Sequence, residues 1–152
     1  MQLTQKELTL LKDLEDSEKL CIEKYTKHSA AAHDAQLKNL FSSLASDEQK
    51  HLQTLTEIKA GTVPATGGGA QEPSPTFTAT YTQGDTSTEA KEDAYLCSDL
   101  LAGEKGVSHL YDTCIFEFQS QEVRDTLSGI QKREQMHGKM LYDYMKTNGM
   151  YS

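Results

Sequence analysis

Residues 13–58 and 99–144 of this 152-residue chain align with each other without a gap, at an offset of 86. The matched positions include Asp13 with Asp99, Leu14 with Leu100, Glu18 with Glu104, Lys19 with Lys105, Tyr25 with Tyr111, Glu48 with Glu134, Gln49 with Gln135, His51 with His137 and Leu55 with Leu141. Self-similarity at a fixed offset marks a duplicated supersecondary unit. The fold therefore has to be built from two copies of one element pair.

The composition of the middle segment says what that pair is. All three prolines, Pro64, Pro73 and Pro75, lie between 61 and 85 together with Gly61, Gly67, Gly68, Gly69 and Gly84. No proline interrupts either flanking segment, so each is free to be helical over a long distance. The first helix is expected to start at Thr4, where Thr4-x-x-Glu7 is a capping box, and to run to about His28 with an inward stripe of Leu11, Leu14, Glu18, Cys21 and Tyr25. A second starts after Asp34 as N-cap and ends at Gly61, with Leu37, Leu40, Leu44, Glu48, His51, Leu55 and Ile58 on one face. A third opens on a capping box at Thr86-x-x-Glu89 and carries Ala90, Ala94, Cys97, Leu100, Glu104, Val107 and Tyr111. The fourth runs from about Gln121 to Thr147, stops at Asn148-Gly149, and presents Val123, Leu127, Ile130, Glu134, His137, Leu141 and Tyr144. The expected fold is an all-α four-helix bundle in one domain, 1–152, with a hairpin at 4–61, a crossover at 62–85 and a hairpin at 86–147. A helix of about 26 residues is ~39 Å long, which a crossover of this length spans when extended, so the second and third helices can run parallel.

The same stripes carry charge where leucine would be expected. Glu18, Glu48, His51, Glu104, Glu134 and His137 all fall on the core-facing side near mid-helix, in two Glu-x-x-His pairs that each follow a lone glutamate by thirty residues. Carboxylates buried without a counter-charge cost several kcal/mol or take up protons, whereas two divalent cations compensate four of them. Four carboxylates and two imidazoles can hold two metals if each takes one histidine, one terminal glutamate and a share of two bridging glutamates. One Glu-x-x-His alone is weak, since residues three apart on any solvated helix share a face. Two copies in register with two core-facing glutamates are far more specific.

This arrangement resembles the ferritin-like di-iron carboxylate superfamily, which includes bacterioferritin, rubrerythrin and manganese catalase, and the resemblance covers both hairpins. The phrases LTQKELTLLKDLEDSEKLCIEKY and LKNLFSSLASDEQKHLQTL also resemble the coat F domain family of spore-forming bacteria, many of whose members are called spore coat proteins. The superfamily resemblance implies Glu18 and Glu104 as terminal ligands, Glu48 and Glu134 as bridges, and His51 and His137 as one nitrogen ligand per metal. It implies two divalent transition metals as cofactor, iron first and manganese second. No fifth helix of the kind used by ferritin cages is expected, and no Cys-x-x-Cys pair is present to build the rubredoxin domain that rubrerythrins usually add.

Tyr25 and Tyr111 are the candidate catalytic side chains. Each lies two turns beyond a ligand glutamate on the same face, where its hydroxyl either bonds a carboxylate ligand of another helix or is that of an ordinary core tyrosine. Cys21 reads as a small core residue, and His28, His33 and His109 as solvated or capping residues. Gly103 and Gly106 around Glu104, and Gly138 after His137, read either as tolerated surface glycines or as room for close helix approach or for a small substrate.

Composition narrows the partners. The net charge of −8, from 23 acidic and 15 basic residues, with no local basic patch, argues against nucleic acid. The three cysteines, Cys21, Cys97 and Cys114, are odd in number and lack metal-module spacing, which points to a reducing compartment. No apolar run reaches the length of a signal or membrane-spanning segment. The expected protein is cytoplasmic or spore-associated, a homodimer or part of a coat assembly. Its expected substrates are metal ions and a small oxidant in peroxidase or ferroxidase chemistry. The alternative is a structural coat F type protein whose metal site is structural or vestigial.

Overall fold

A computed structural model describes residues 1–64 and 73–151. The glycines Gly67, Gly68 and Gly69 of the crossover lie outside the described residues. Four helices account for the order of the chain: α1 (Gln5–Ala31), α2 (Ala35–Lys59), α3 (Thr88–Ile115) and α4 (Gln121–Thr147), with no strand among the described residues. α1 packs along α2 and α3 along α4, and the two hairpins meet through α1 with α3 and α2 with α4.

Local chemistry sets the helix ends. Thr4 forms the complete capping box, its side chain accepting from the Glu7 amide at 3.1 Å while Glu7 accepts from the Thr4 amide at 2.9 Å. Asp34 caps α2 by accepting from the Gln36 amide, and Gly61 ends the turn after α2 at φ +98°. The expected box at Thr86 is not formed. Ser87 is the N-cap of α3, and its hydroxyl accepts from the Ala90 amide. With the cap one residue later, Glu89 falls at the second helical position, too early to reach back, and Asp85 takes the Ser87 amide instead at 2.8 Å. α1 also continues past His28 to Ala31, because Ser29, Ala30 and Ala31 contain no helix breaker.

Helix directions follow from contacts across the bundle. Tyr25 of α1 meets Glu104 of α3, and Tyr111 of α3 meets Glu18 of α1, so these helices are antiparallel and α2 runs parallel to α3. The crossover therefore returns the chain along the bundle. Its far end is fastened by buried groups: Asp93 accepts from the backbone amides of His33 and Asp34 and from the Tyr81 hydroxyl, while Asp34 accepts from Tyr144 at 2.6 Å. Asn148 accepts from the amides of Thr80 and Tyr81. The chain passes so close there that a Cβ on Gly149 would lie 2.6 Å from Gln83 Cα, which with φ +67° requires glycine.

Two apolar clusters fill the bundle. One gathers Tyr25, Leu37, Phe41, Leu44, Leu100, Leu141 and Tyr144, and the other Leu11, Leu14, Leu55, Ile58, Tyr111, Val123 and Leu127. The polar residues of mid-helix lie at the level between them.

Candidate metal centre

Each helix brings its polar residues to the same level because each holds them near its middle, with apolar stripe on both sides. α1 supplies Glu18, α2 Glu48 and His51, α3 Glu104, and α4 Glu134 and His137. All six side chains are buried; the most exposed, His51, is 5% accessible.

They fall into two overlapping groups. Glu18, Glu48, His51 and Glu134 offer donor atoms that all lie within 4.8 Å of one another, and so do Glu48, Glu104, Glu134 and His137. Glu48 and Glu134 belong to both. Each histidine points Nδ1 at the other hairpin's shared glutamate: His51 Nδ1 is 2.8 Å from Glu134 Oε1, and His137 Nδ1 is 2.9 Å from Glu48 Oε1. The two rings are stacked with centroids 5.7 Å apart.

These approaches are short without being aligned as hydrogen bonds. Glu18 Oε2, both oxygens of Glu48, Glu104 Oε2, both oxygens of Glu134, and Nδ1 of both histidines are buried without a hydrogen-bond partner. Buried polar atoms are ordinarily satisfied, and orphaned ones cost about 1–3 kcal/mol each. Eight orphaned donor atoms aimed at one space, from hard carboxylates and two imidazoles, fit a pair of divalent transition-metal ions.

Burial and crowding set the protonation of the cluster. Burial, then the contact with the Glu48 carboxylate, pushes Glu18 up to about 10, against the hydrogen bond from Tyr111. Burial also raises Glu134 well above the carboxylate range, followed by the neighbouring Glu104 charge. For Glu48 burial works the same way but loses to His137, His51 and the proton on Glu18, so this carboxyl is held low. His137 is raised well above the ordinary imidazole range because Asp47, Glu104, Glu134 and Glu48 together outweigh burial. The cluster thus retains protons wherever no cation replaces them.

The tyrosines bond across the bundle. Tyr25 donates to Glu104 Oε1 at 2.5 Å and Tyr111 to Glu18 Oε1 at 2.6 Å, each crossing between hairpins and leaving the other oxygen of its glutamate free. Burial, then the adjacent carboxylate, holds both phenols protonated.

The surroundings of the two imidazoles differ. His137 Nε2 lies 2.6 Å from Asp47 Oδ2, which also accepts from Arg133 Nη2 at 2.8 Å. Burial alone would raise the Asp47 carboxyl, but the His137 and Arg133 bonds hold it well below its usual range. Asp47 and Arg133 occupy the same position of the two repeats, with opposite charge. No carboxylate stands behind His51 Nε2 among the described residues. Asp47 escapes sequence reasoning because it lies beside the inward stripe, although the charge reversal at its repeat position marks it.

The remaining residues separate from the site. His28, partly exposed in the last turn of α1, pairs with Asp99 at 2.8 Å, beside Lys24; His33 bonds Glu92, and His109 is exposed. The three cysteines are free, and Cys21 is half-buried against the apolar cluster of Leu11, Leu14 and Tyr111. A Cβ at Gly106 would meet nothing within 4 Å, and one at Gly103 only Lys24 Nζ, so neither glycine serves close helix approach.

Comparison with known families bears on the second repeat. Residues 92–152 match the Coat F domain. The matched span holds most of α3 and all of α4, with Glu104, Glu134 and His137. The phrases that carry the coat F resemblance in the sequence lie in the first repeat, at 3–25 and 37–55, so the two signals fall on different copies of the duplicated unit. No curated protein and no solved structure matches the chain. Among the described residues no helix is long and apolar enough to cross a membrane.

Proposed function

We propose that this chain is a ferritin-like bundle whose centre binds two divalent transition-metal ions, iron or manganese, and that the loaded protein reacts with hydrogen peroxide or dioxygen. The observation that carries the reading is the eight orphaned buried carboxylate oxygens and imidazole nitrogens on the six residues of two groups that share Glu48 and Glu134. Glu18 and Glu104 would serve as terminal ligands, Glu48 and Glu134 as bridges, and His51 and His137 as one nitrogen ligand each. Two such ions held side by side would supply two electrons to one oxidant. The protein's part is to hold the carboxylates and keep bulk water out. Tyr111 and Tyr25 each fix one oxygen of a terminal glutamate and turn the other inward.

Stopped-flow absorbance after anaerobic reduction and iron loading tests this. Peroxide should oxidise the bound iron faster than free ferrous iron under the same conditions. A loaded protein no faster than free iron contradicts the redox part of the proposal.

The Coat F domain match favours a second reading, in which the bundle is a structural component of the spore coat, as a homodimer or within a larger assembly, and the metals brace it. A chain whose folding and assembly depend on bound metal, yet whose loaded form oxidises no faster than free iron, would support that role.

Asp47 makes the two metal positions unequal. A carboxylate behind a ligating imidazole fixes the ring and raises its basicity, and losing it commonly costs ~10–100-fold in metal affinity. Asp47→Asn should therefore weaken one of the two binding steps in a calorimetric Mn²⁺ titration and leave the other unchanged. Equal weakening of both would contradict the asymmetry.

A further inference from the structure

The duplicated halves differ at one place that reaches the centre from outside. Between α3 and α4 a cleft of about 670 Å³ is lined by Leu101, Ser108 and Gly138, with Glu104 and Glu134 of the candidate metal centre in its wall. The corresponding positions of the first repeat are Glu15, Ile22 and Leu52. There Glu15 ties α1 to α2, accepting from Thr56 Oγ1 at 3.2 Å and from Lys59 Nζ at 3.1 Å. The matching positions on α4 are Tyr142 and Met145, which form no such link. The opening is thus produced by small residues replacing large ones on one side of a near-symmetric bundle.

Its size and lining indicate what it takes. Dioxygen or peroxide needs space comparable to a water molecule, ~30 Å³, whereas sites for organic molecules are typically ~300–1,000 Å³ and mainly apolar with a few charged groups. Here Leu101 and the edge-to-face pair Tyr142 and Tyr151, 4.9 Å apart, give the apolar surface. The charged lining residues outside the centre are Lys105, which has no ion-pair partner among the described residues, and Lys139, which is paired with Asp143 at 2.8 Å on the exposed side of α4. Glu104 and Glu134 are the two residues of the centre that line the cleft.

We propose that this cleft binds an organic carboxylate with an apolar body, its carboxylate held by Lys105 and Lys139 and its apolar end directed at the centre. The ligand is thereby a candidate co-substrate of the reaction proposed above, and that role, though not the binding itself, rests on the metal reading. Gly138 and Ser108 specify the site, since the larger Leu52 and Ile22 stand at the same positions of the first repeat.

Octanoate is the probe, titrated calorimetrically into the Mn²⁺-loaded and metal-free chain, with metal content measured by elemental analysis on each sample. One octanoate per chain should bind. Gly138→Leu, which improves helix propensity and meets only Leu101 Cδ1 at 3.6 Å from its Cβ, should fold and lose that binding. Ser108→Ile should lose it from the opposite wall. The double change Lys105→Glu and Lys139→Glu should weaken octanoate by roughly tenfold and leave octanol unaffected. Absence of octanoate binding in a chain that holds two metals overturns the cleft proposal and leaves the metal reading standing. Undiminished binding to folded Gly138→Leu and Ser108→Ile overturns it as well. Octanoate bound by a chain that takes up no metal supports the cleft while removing the metal reading beneath its role.

Discussion

Glu134→Ala and His137→Ala should each yield a folded bundle whose iron-loaded form reacts with peroxide no faster than free ferrous iron. Glu134 belongs to both groups of donor atoms, so in the proposed centre its loss would remove the connection between the two metals as well as one ligand from each. His137 is the nitrogen donor of one group, and its removal leaves that position with carboxylates alone. Either change should give a mononuclear or empty centre, unable to deliver two electrons together. The repeat relates Glu48 to Glu134 and His51 to His137, so Glu48→Ala and His51→Ala should fail in the same way. Folding should survive, because the apolar clusters on either side of the centre contain none of these residues. Circular dichroism checks the fold, elemental analysis the metal count and stopped-flow absorbance the reaction. Wild-type rates in a variant with one metal or none would contradict the role of the pair.

The second large effect is on stability in the absence of metal. Glu18 is raised to about 10, and Glu134 and His137 also lie well above their ordinary values. A group whose folded pKa is raised holds a proton that the unfolded chain has lost, so its stabilisation is present below the unfolded pKa and disappears as pH rises towards the folded one. For the two glutamates the decline starts above pH ~4.3, and for His137 above pH ~6.5. Glu48 and Asp47, both held low, act in the opposite sense, but their stabilisation is lost only as pH falls through the acid range. Between pH 5 and 8 the glutamates and the histidine therefore dominate, and melting temperature of the metal-free protein should fall as pH rises. Each retained proton contributes at most about 1.4 kcal/mol per pH unit, so the slope should be large for a domain of this size. Added Fe²⁺ or Mn²⁺ should reverse the loss, since the cation takes the place of the protons and binds only the folded chain. A melting temperature flat in pH and indifferent to metal would contradict this linkage.

Much of the fold is legible in the chain because helix period and capping are local. The stripes predict the four helices, and Thr4 and Asp34 cap where the capping rules place them. That six polar residues converge is legible for the same reason: they replace leucine in stripes that must face one another. Contacts between distant positions are not legible in this way. Asp93 is buried because three donors from the α1–α2 turn and the crossover meet it, and no local pattern announces that. Ser87 displaces Thr86 as cap because Asp85, outside the helix, takes over the role expected of Glu89. The bond from Asp47 to His137 and the cleft at Gly138 emerge only when the two repeats are compared for their differences instead of their identities.

Anomalous diffraction at the iron and manganese edges, on crystals soaked in each metal, tests the central claim most directly. Two peaks about 3.5–4 Å apart are expected, the usual separation in two-metal sites. One should lie among Glu18, Glu48, His51 and Glu134 and the other among Glu48, Glu104, Glu134 and His137. Peaks confined to the acidic surface, with none between the four helices, would contradict it.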